Sequence, residues 1–169
     1  MREHKNFWDR NAGLYDCFMR KDRVAYEKMY GLIRPVVKGK TVLELAAGTG
    51  LIAKNIVNAA AHIEASDTSA EMIREAKHRN HSAKLHFSVQ DMFRLPYADE
   101  SFEVVIVSNA LHIVPQPEKA LAEIHRVLRD DGVLIAPTFT HAVKLRFSET
   151  VRRFFTEAGG LSPTQQVDE

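Results

Sequence analysis

The sequence predicts an α/β fold, in which a mostly parallel sheet carries helices on both faces. Three observations support this prediction. Short apolar runs alternate with stretches of helical periodicity along the 169-residue chain. The run 102–107 is almost continuously apolar, as expected of a strand that is covered on both faces. The stretch "VLELAAGTG", residues 42–50, leads an apolar strand directly into a glycine turn.

The elements follow from periodicity and from residues that start or stop them. Thr68 and Glu71 have the spacing of a capping box at the start of a helix. Pro117 suits a first helical turn, because its missing N–H would have no partner there. Asp131-Gly132 is predicted as a turn before the last strand. The predicted strands are 41–45, 62–66, 84–89, 102–107 and 133–139, and the predicted helical segments are 1–38, 51–58, 118–128 and 144–157, with one more opening in "DTSAEMI".

Composition and charge limit the functions to consider. The formal net charge is +1, so bulk electrostatics do not indicate a nucleic-acid partner. No apolar run approaches the roughly 18 residues that a membrane span requires. The single cysteine, Cys17, cannot form an intrachain disulfide, and we expect a small buried residue in a cytoplasmic protein. We expect one domain, with an N-terminal helical lid over 1–38, a binding core over 39–140, and a C-terminal helix and tail over 141–169.

Ligands of such sheets bind at the carboxyl ends of the strands, where the strand order reverses. Gly48 and Gly50 open the first crossover helix and let the backbone approach a ligand closely. Asp67 follows the second strand at about the interval expected of a carboxylate that binds a ribose diol, although it could instead cap the next helix. Asp91 follows the third strand and could accept a hydrogen bond from an exocyclic amine, or could cap a local turn.

Two kinds of nucleotide cofactor compete for this edge. Residues 48–53 match G-x-G-x-x-A, with Ala53 in the last position, which permits a nicotinamide-dependent oxidoreductase. Against it, Glu44 precedes the glycines, where a pyrophosphate would gain nothing from a negative charge, and the chain leaves little room for a substrate domain. S-adenosylmethionine has no phosphate and carries a cationic sulfur and an ammonium group, so acidic residues beside its binding turn are favourable.

The sequence resembles the class I S-adenosylmethionine-dependent methyltransferases, specifically the small-molecule type-11 group, which is similar to the ubiquinone/menaquinone and bacterial phospholipid methyltransferases. The resemblance runs from about residue 7 to 139. It implies a Rossmann-like fold and S-adenosylmethionine as the cofactor. It is carried, in order, by "FWDRNAGLYD", "VLELAAGTG", "IEASDTSAEMI", "VQDMFRLPYADESFEVVIVSNALHIVP" and "EIHRVLRDDGVLI".

The resemblance also implies a role for each strand end. Beside the methionine part it places Glu44, Ala46, Gly48 and Gly50, and beside the ribose it places Asp67, Thr68 and Met72. Beside the adenine it places Gln90, Asp91 and Met92. Near the sulfonium it places Ser108, Asn109 and Leu111. Tyr15, from the N-terminal helical segment, could close over the cofactor. Ala46 stands where the family often has glycine, so we expect some loss of backbone freedom there but no loss of binding.

Methyl transfer from a sulfonium is an in-line displacement in which the sulfur leaves as a neutral thioether, so the leaving group needs no acid. Alignment is the main task of such an enzyme. A general base is needed only where the acceptor must lose a proton. His112, after the fourth strand, is the best candidate for that base, but we favour the competing interpretation that it packs or hydrogen-bonds locally. His141 is a weaker candidate.

The ends of the chain bear on the acceptor and on partners. The aromatic-rich stretch 7–19 could form a lid over an apolar acceptor, or could be ordinary helix packing, and we expect a small-molecule or lipid-like acceptor. The family fold normally ends in a two-strand hairpin, but "LSPTQQVDE" is too short and polar for it. We therefore expect five strands and an exposed edge that a homo-oligomer could cover. A non-catalytic cofactor-binding module is a third possibility.

Overall fold

The computed structural model describes residues 22–78 and 80–138. Within these ranges, five strands form one sheet in the order β3-β2-β1-β4-β5, and all four neighbouring pairs are parallel. The helices are α1 (Arg23–Val37), α2 (Leu51–Ile56), α3 (Ala70–His78) and α4 (Pro117–Val127), and the strands are β1 (Thr41–Leu45), β2 (His62–Asp67), β3 (Leu85–Val89), β4 (Phe102–Val107) and β5 (Leu128–Ile135). The predicted α/β fold with a parallel sheet is confirmed.

The sheet has a hydrophobic core on each face. Successive residues of a strand point to opposite faces, so Val42 packs with α1, α2 and α3, whereas Leu43 packs with α4. Val104 and Val105 divide in the same way on β4, and all four side chains have no exposed surface. Burial on both faces explains why β1 and β4 read as apolar runs without alternation.

The fifth strand differs from its prediction. β5 is Leu128–Ile135 and not 133–139, and the predicted Asp131-Gly132 turn lies inside it. The pairing of β4 with β5 goes from Phe102 with Leu128 to Val104 with Val133, so four residues of β5 stand opposite one residue of β4. This irregularity in the register bulges the strand, and a Gly-containing bulge has the same local sequence as a turn.

The cap of α3 also differs from its prediction. The helix begins at Ala70, and the hydroxyl of Ser69, not that of Thr68, accepts a hydrogen bond from the Met72 N–H at 3.1 Å. Glu71 forms an ion pair with Arg74, one turn along the helix. The capping-box spacing selected the wrong one of two adjacent hydroxyl residues.

β5 lies at one edge of the described sheet, and its Val133 and Leu134 are 38% and 36% exposed.

Of the predicted N-terminal helical segment, Arg23–Val37 is described and is helical. Tyr15, Cys17, His141, Phe139 and the predicted helix 144–157 lie outside the described residues. None of the helices within residues 22–78 and 80–138 combines the length and the apolar character needed to cross a bilayer.

Candidate functional site

Strand register brings the predicted site segments to one edge of the sheet. Leu45, at the end of β1, pairs with Ser66 of β2 and with Val107 of β4. Asp67, which follows Ser66 at the end of β2, pairs with Val89 of β3. The strand order reverses between β1 and β4, which is where open α/β sheets bind their ligands. The four predicted segments therefore meet at the expected edge.

Asp67 connects three of these segments. Its Oδ2 accepts a hydrogen bond from the Gly48 N–H at 2.8 Å, and its Oδ1 accepts one from the Ser69 N–H at 2.8 Å. Its carbonyl accepts the Gln90 N–H at 3.1 Å. The carboxylate thus holds the glycine turn and the N–H of Ser69, while Ser69 and not Asp67 caps α3. The ribose role assigned to Asp67 stays a prediction.

The turn after β1 is built from left-handed backbone. Ala46, Gly48 and Gly50 have φ of 52°, 55° and 76°. A Cβ on Gly50 would lie 2.4 Å from the ring of Phe87 on β3, so both the dihedral and the space demand glycine there. The Gly50 N–H donates to the Ala47 carbonyl at 2.9 Å, which closes the turn on itself.

Replacing Ala46 with glycine is expected to stabilise the protein by about 0.5–1 kcal/mol. The left-handed conformation costs an L-residue roughly 1–2 kcal/mol, and the greater conformational entropy of glycine in the unfolded chain offsets only part of the relief. Denaturant unfolding measures the change. The Ala83→Gly variant is the matched control: Ala83 is exposed and lacks a positive φ, so glycine there should lower stability. Equal or lower stability of Ala46→Gly would show that the turn does not strain Ala46.

Glu44 is a buried carboxyl group beside this turn, with 2% of its surface exposed. Its pKa is raised to about 8, mainly by burial, while a hydrogen bond from the Ala53 backbone lowers it and the charge of Asp67 raises it. Its Oε2 has no hydrogen-bond partner among the described residues. A buried polar atom without a partner is rare in folded proteins, so a partner that the described residues do not supply fits here.

The adenine-side residues lie at the end of β3. The Asp91 Oδ1 accepts the Phe93 N–H at 2.9 Å, which is the local turn that we gave as its alternative role. Asp91 is nevertheless exposed at the edge of the sheet, and Gln90 is half-buried. Met92 packs into the core on the α4 side of the sheet. A local hydrogen bond at Asp91 and the burial of Met92 therefore both hold this short segment.

The predicted floor follows β4. Ser108 and Asn109 are half-buried, and Asn109 has a φ of 52°, which asparagine tolerates better than most residues. Leu111 packs partly against the α4-side core, and His112 is exposed in the same turn region.

Two residues assigned beside the ribose differ in exposure: Met72 is 1% exposed, whereas Thr68 is exposed.

Sequence reasoning missed several residues around the site. Tyr30 of α1 is 3% exposed, and its pKa is raised chiefly by burial, with Glu44 among the nearby groups that add to the shift. Helical spacing with Met29 and Ile33 marks Tyr30 as core, but nothing local in the sequence places it near Glu44. The cap Ser69 was also missed. Within the described residues, no cluster of three His, Cys, Asp or Glu side chains could hold a metal ion.

The hydrogen bonds of the turn argue against a dinucleotide. A dinucleotide-binding turn offers its backbone N–H groups to a pyrophosphate. Here the Gly48 N–H donates to Asp67 and the Gly50 N–H donates to Ala47. Two carboxyl groups, those of Glu44 and Asp67, flank the turn. The site therefore suits a cationic, phosphate-free ligand better than a pyrophosphate.

Comparisons with known proteins agree with this geometry. The model of a family described as a methyltransferase domain matches residues 43–136. The demethylmenaquinone methyltransferase of Renibacterium salmoninarum is 38% identical over 105 residues, 62% of this chain and 44% of that protein. The malonyl-[acyl-carrier protein] O-methyltransferase of Pectobacterium atrosepticum is 29% identical over 144 residues, 85% of this chain and 56% of that protein. The methyltransferase solved in complex with the Haloferax volcanii Trm112 activator has a TM-score of 0.69 at 26% identity, covering 76% of this chain and 58% of that chain.

The chain spans about half the length of these curated relatives, 44% and 56% of the two named. The family match covers more than half of the chain and contains all four strand-end segments. The predicted resemblance is confirmed, and the nicotinamide alternative is not favoured. The chain therefore belongs to the methyltransferase domain family, and S-adenosylmethionine is the cofactor that this membership implies.

Proposed function

We propose that this chain binds S-adenosylmethionine at the carboxyl edge of its sheet and transfers a methyl group to a small-molecule or lipid-like acceptor. The observation that carries the proposal is the unpartnered, buried Oε2 of Glu44 beside a turn whose amides are already bonded within the protein. A carboxyl oxygen in that position calls for a positively charged donor, not a phosphate. When bound, S-adenosylmethionine supplies an ammonium group and an electrophilic methyl on a cationic sulfur.

The residues would divide the work of binding and orientation. Glu44 would take the ammonium, and the Asp67 carboxylate would bind the ribose hydroxyls. Asp91 would accept from the adenine amine, because its Oδ1 accepts the Phe93 N–H and the residue is exposed at the edge of the sheet. Ser108 would line the floor near the reacting atoms. Charge-assisted hydrogen bonds of this kind contribute about 1.5–3 kcal/mol each.

His112 is the proposed general base for an acceptor that must lose a proton. It is exposed and follows β4 at the same edge, so it can meet an acceptor that arrives from solvent. An acceptor with a free lone pair would need no base, and His112 would then have a structural role. A pH–rate profile that changes in the His112→Gln variant would support the catalytic role.

We propose a small-molecule or lipid-like acceptor such as a demethylated quinone, with a carrier-bound malonyl group as the alternative. The support comes from the relatives, whose names give demethylmenaquinone and a malonyl group on a carrier protein as their substrates.

We further propose that the protein works in the cytoplasm. A second copy of the chain is proposed to cover the edge strand β5, where Val133 and Leu134 are partly exposed.

Calorimetry separates the two cofactor classes. S-adenosylhomocysteine is expected to bind with a dissociation constant of about 1–100 μM, in the range common for enzyme ligands, and reduced nicotinamide dinucleotide should give a flat titration. Labelled methyl transfer to a demethylated naphthoquinone, compared with a malonyl thioester, then tests the acceptor class. If S-adenosylhomocysteine does not bind, the proposed function is wrong. If it binds but no label moves to any metabolite in an extract, the chain is a cofactor-binding module.

A further inference from the structure

The connection from β3 to β4, residues 90–101, contains neither a helix nor a strand. Its first part carries Gln90, Asp91 and Met92, the residues proposed beside the adenine. A connection this long with no regular structure has few backbone partners of its own, so it needs anchors from elsewhere to hold one conformation.

Arg126 of α4 provides these anchors, and its guanidinium uses all five of its N–H groups. Nε and one Nη2 hydrogen donate to the Glu123 carboxylate, each at 2.9 Å. Nη1 donates to the Tyr97 carbonyl and to the Asp99 carboxylate, each at 2.8 Å. The other Nη2 hydrogen donates to the Leu95 carbonyl at 3.1 Å. The Glu123 carboxylate in turn accepts the Leu95 N–H at 2.9 Å, so one ion pair holds both backbone groups of Leu95.

Leu95 directly follows the turn that carries Asp91. Within that turn, the Arg94 N–H donates to the Asp91 carbonyl at 3.0 Å. At its other end, the Gln90 N–H donates to the Asp67 carbonyl at 3.1 Å. The backbone of this turn is therefore held by β2 before it and by the Arg126 ion pair after it, while Met92 packs into the core between them.

We infer that Arg126, together with Glu123, is a positioning residue for adenine recognition, because it sets where the Asp91 turn stands at the edge of the sheet. This inference rests on the proposed function. Arg126 acts through the turn and not through a contact of its own with the base. Lysine could not replace it, since a single ammonium cannot supply the planar fork that bonds to Glu123 and to the backbone together.

A double-mutant cycle tests the inference. Calorimetry measures the binding of S-adenosylhomocysteine and of its deaminated analogue S-inosylhomocysteine to the wild type, Arg126→Lys, Asp91→Asn and the double variant. Arg126→Lys is expected to weaken S-adenosylhomocysteine binding about tenfold and to remove most of the preference for adenine over hypoxanthine. The double variant should bind no more weakly than Asp91→Asn alone, because both changes remove the same interaction.

The matched control is Arg129→Lys. Arg129 pairs with Asp131 on β5 at 3.3 Å, and that variant should bind both ligands as the wild type does. Additive losses, or an unchanged adenine preference in Arg126→Lys, would overturn the inference while leaving the proposed function in place. A wild type that binds neither ligand overturns both. If circular dichroism shows that Arg126→Lys does not fold, Glu123→Gln replaces it in the cycle, with the same expected loss of preference.

Discussion

Replacing Asp67 with asparagine is expected to lower the free energy of unfolding by about 2–3 kcal/mol and to weaken S-adenosylhomocysteine binding at least about 100-fold. The carboxylate accepts the N–H groups of Gly48 and Ser69 on its two oxygens. An asparagine has one carbonyl oxygen and one NH2 group, so in either orientation one backbone donor faces another donor. The glycine turn or the start of α3 must then shift, whichever way the amide points.

Urea unfolding and calorimetry measure the two effects of Asp67→Asn separately. Asp130→Asn is the matched control, because Asp130 is exposed in the bulged part of β5 and lies outside the site. That variant should match the wild type in both measurements. A folded Asp67→Asn protein with wild-type ligand affinity would remove Asp67 from the cofactor site and leave it a purely structural role.

Replacing Glu44 with glutamine is expected to make the stability of the ligand-free protein less dependent on pH. The pKa of Glu44 is about 8 in the folded protein, against 4.5 as the ordinary value. The folded state therefore binds a proton more tightly than the unfolded state between these values. Wild-type stability must fall as the pH rises through this window, by up to about 4 kcal/mol between pH 5 and 9. Glutamine does not titrate, so this fall should be absent from the variant.

The same variant should bind S-adenosylhomocysteine about tenfold to 100-fold more weakly, because Glu44 can ionise beside a bound ammonium group and glutamine cannot. Urea unfolding at pH 5, 7 and 9 gives the stabilities, and calorimetry gives the affinities. Glu118→Gln, an exposed change at the start of α4, should keep the wild-type pH dependence. If Glu44→Gln and the wild type lose stability in parallel between pH 5 and 9, Glu44 is not the group that titrates.

The first four strands follow from local sequence. Their apolar runs are set by burial on both faces, and the predicted bounds of β1, β2, β3 and β4 differ from the structure by at most one residue. The fifth strand was wrong because Asp131-Gly132 has the composition of a turn, while pairing with β4 draws it into a bulge. The choice between Thr68 and Ser69 as a cap likewise depends on where Asp67 holds the chain.

The site residues themselves were found from motif positions, and the register confirms that their strand ends meet. The hydrogen-bond pattern was not accessible from the sequence. That Glu44 has an unpartnered oxygen depends on the packing of α1 and α2 around it. The Arg126 anchors join residues up to 31 positions apart, so no local periodicity marks them. The roles assigned to individual cofactor contacts stay predictions.

The internal bonding of the glycine turn has a consequence for the entropy cost of binding a nucleoside. Asp67 and Ala47 already accept the N–H groups of Gly48 and Gly50, so the glycine turn has its shape before a ligand binds. Little backbone entropy is then lost on binding, and more of the binding free energy is available to align the cofactor with the methyl acceptor.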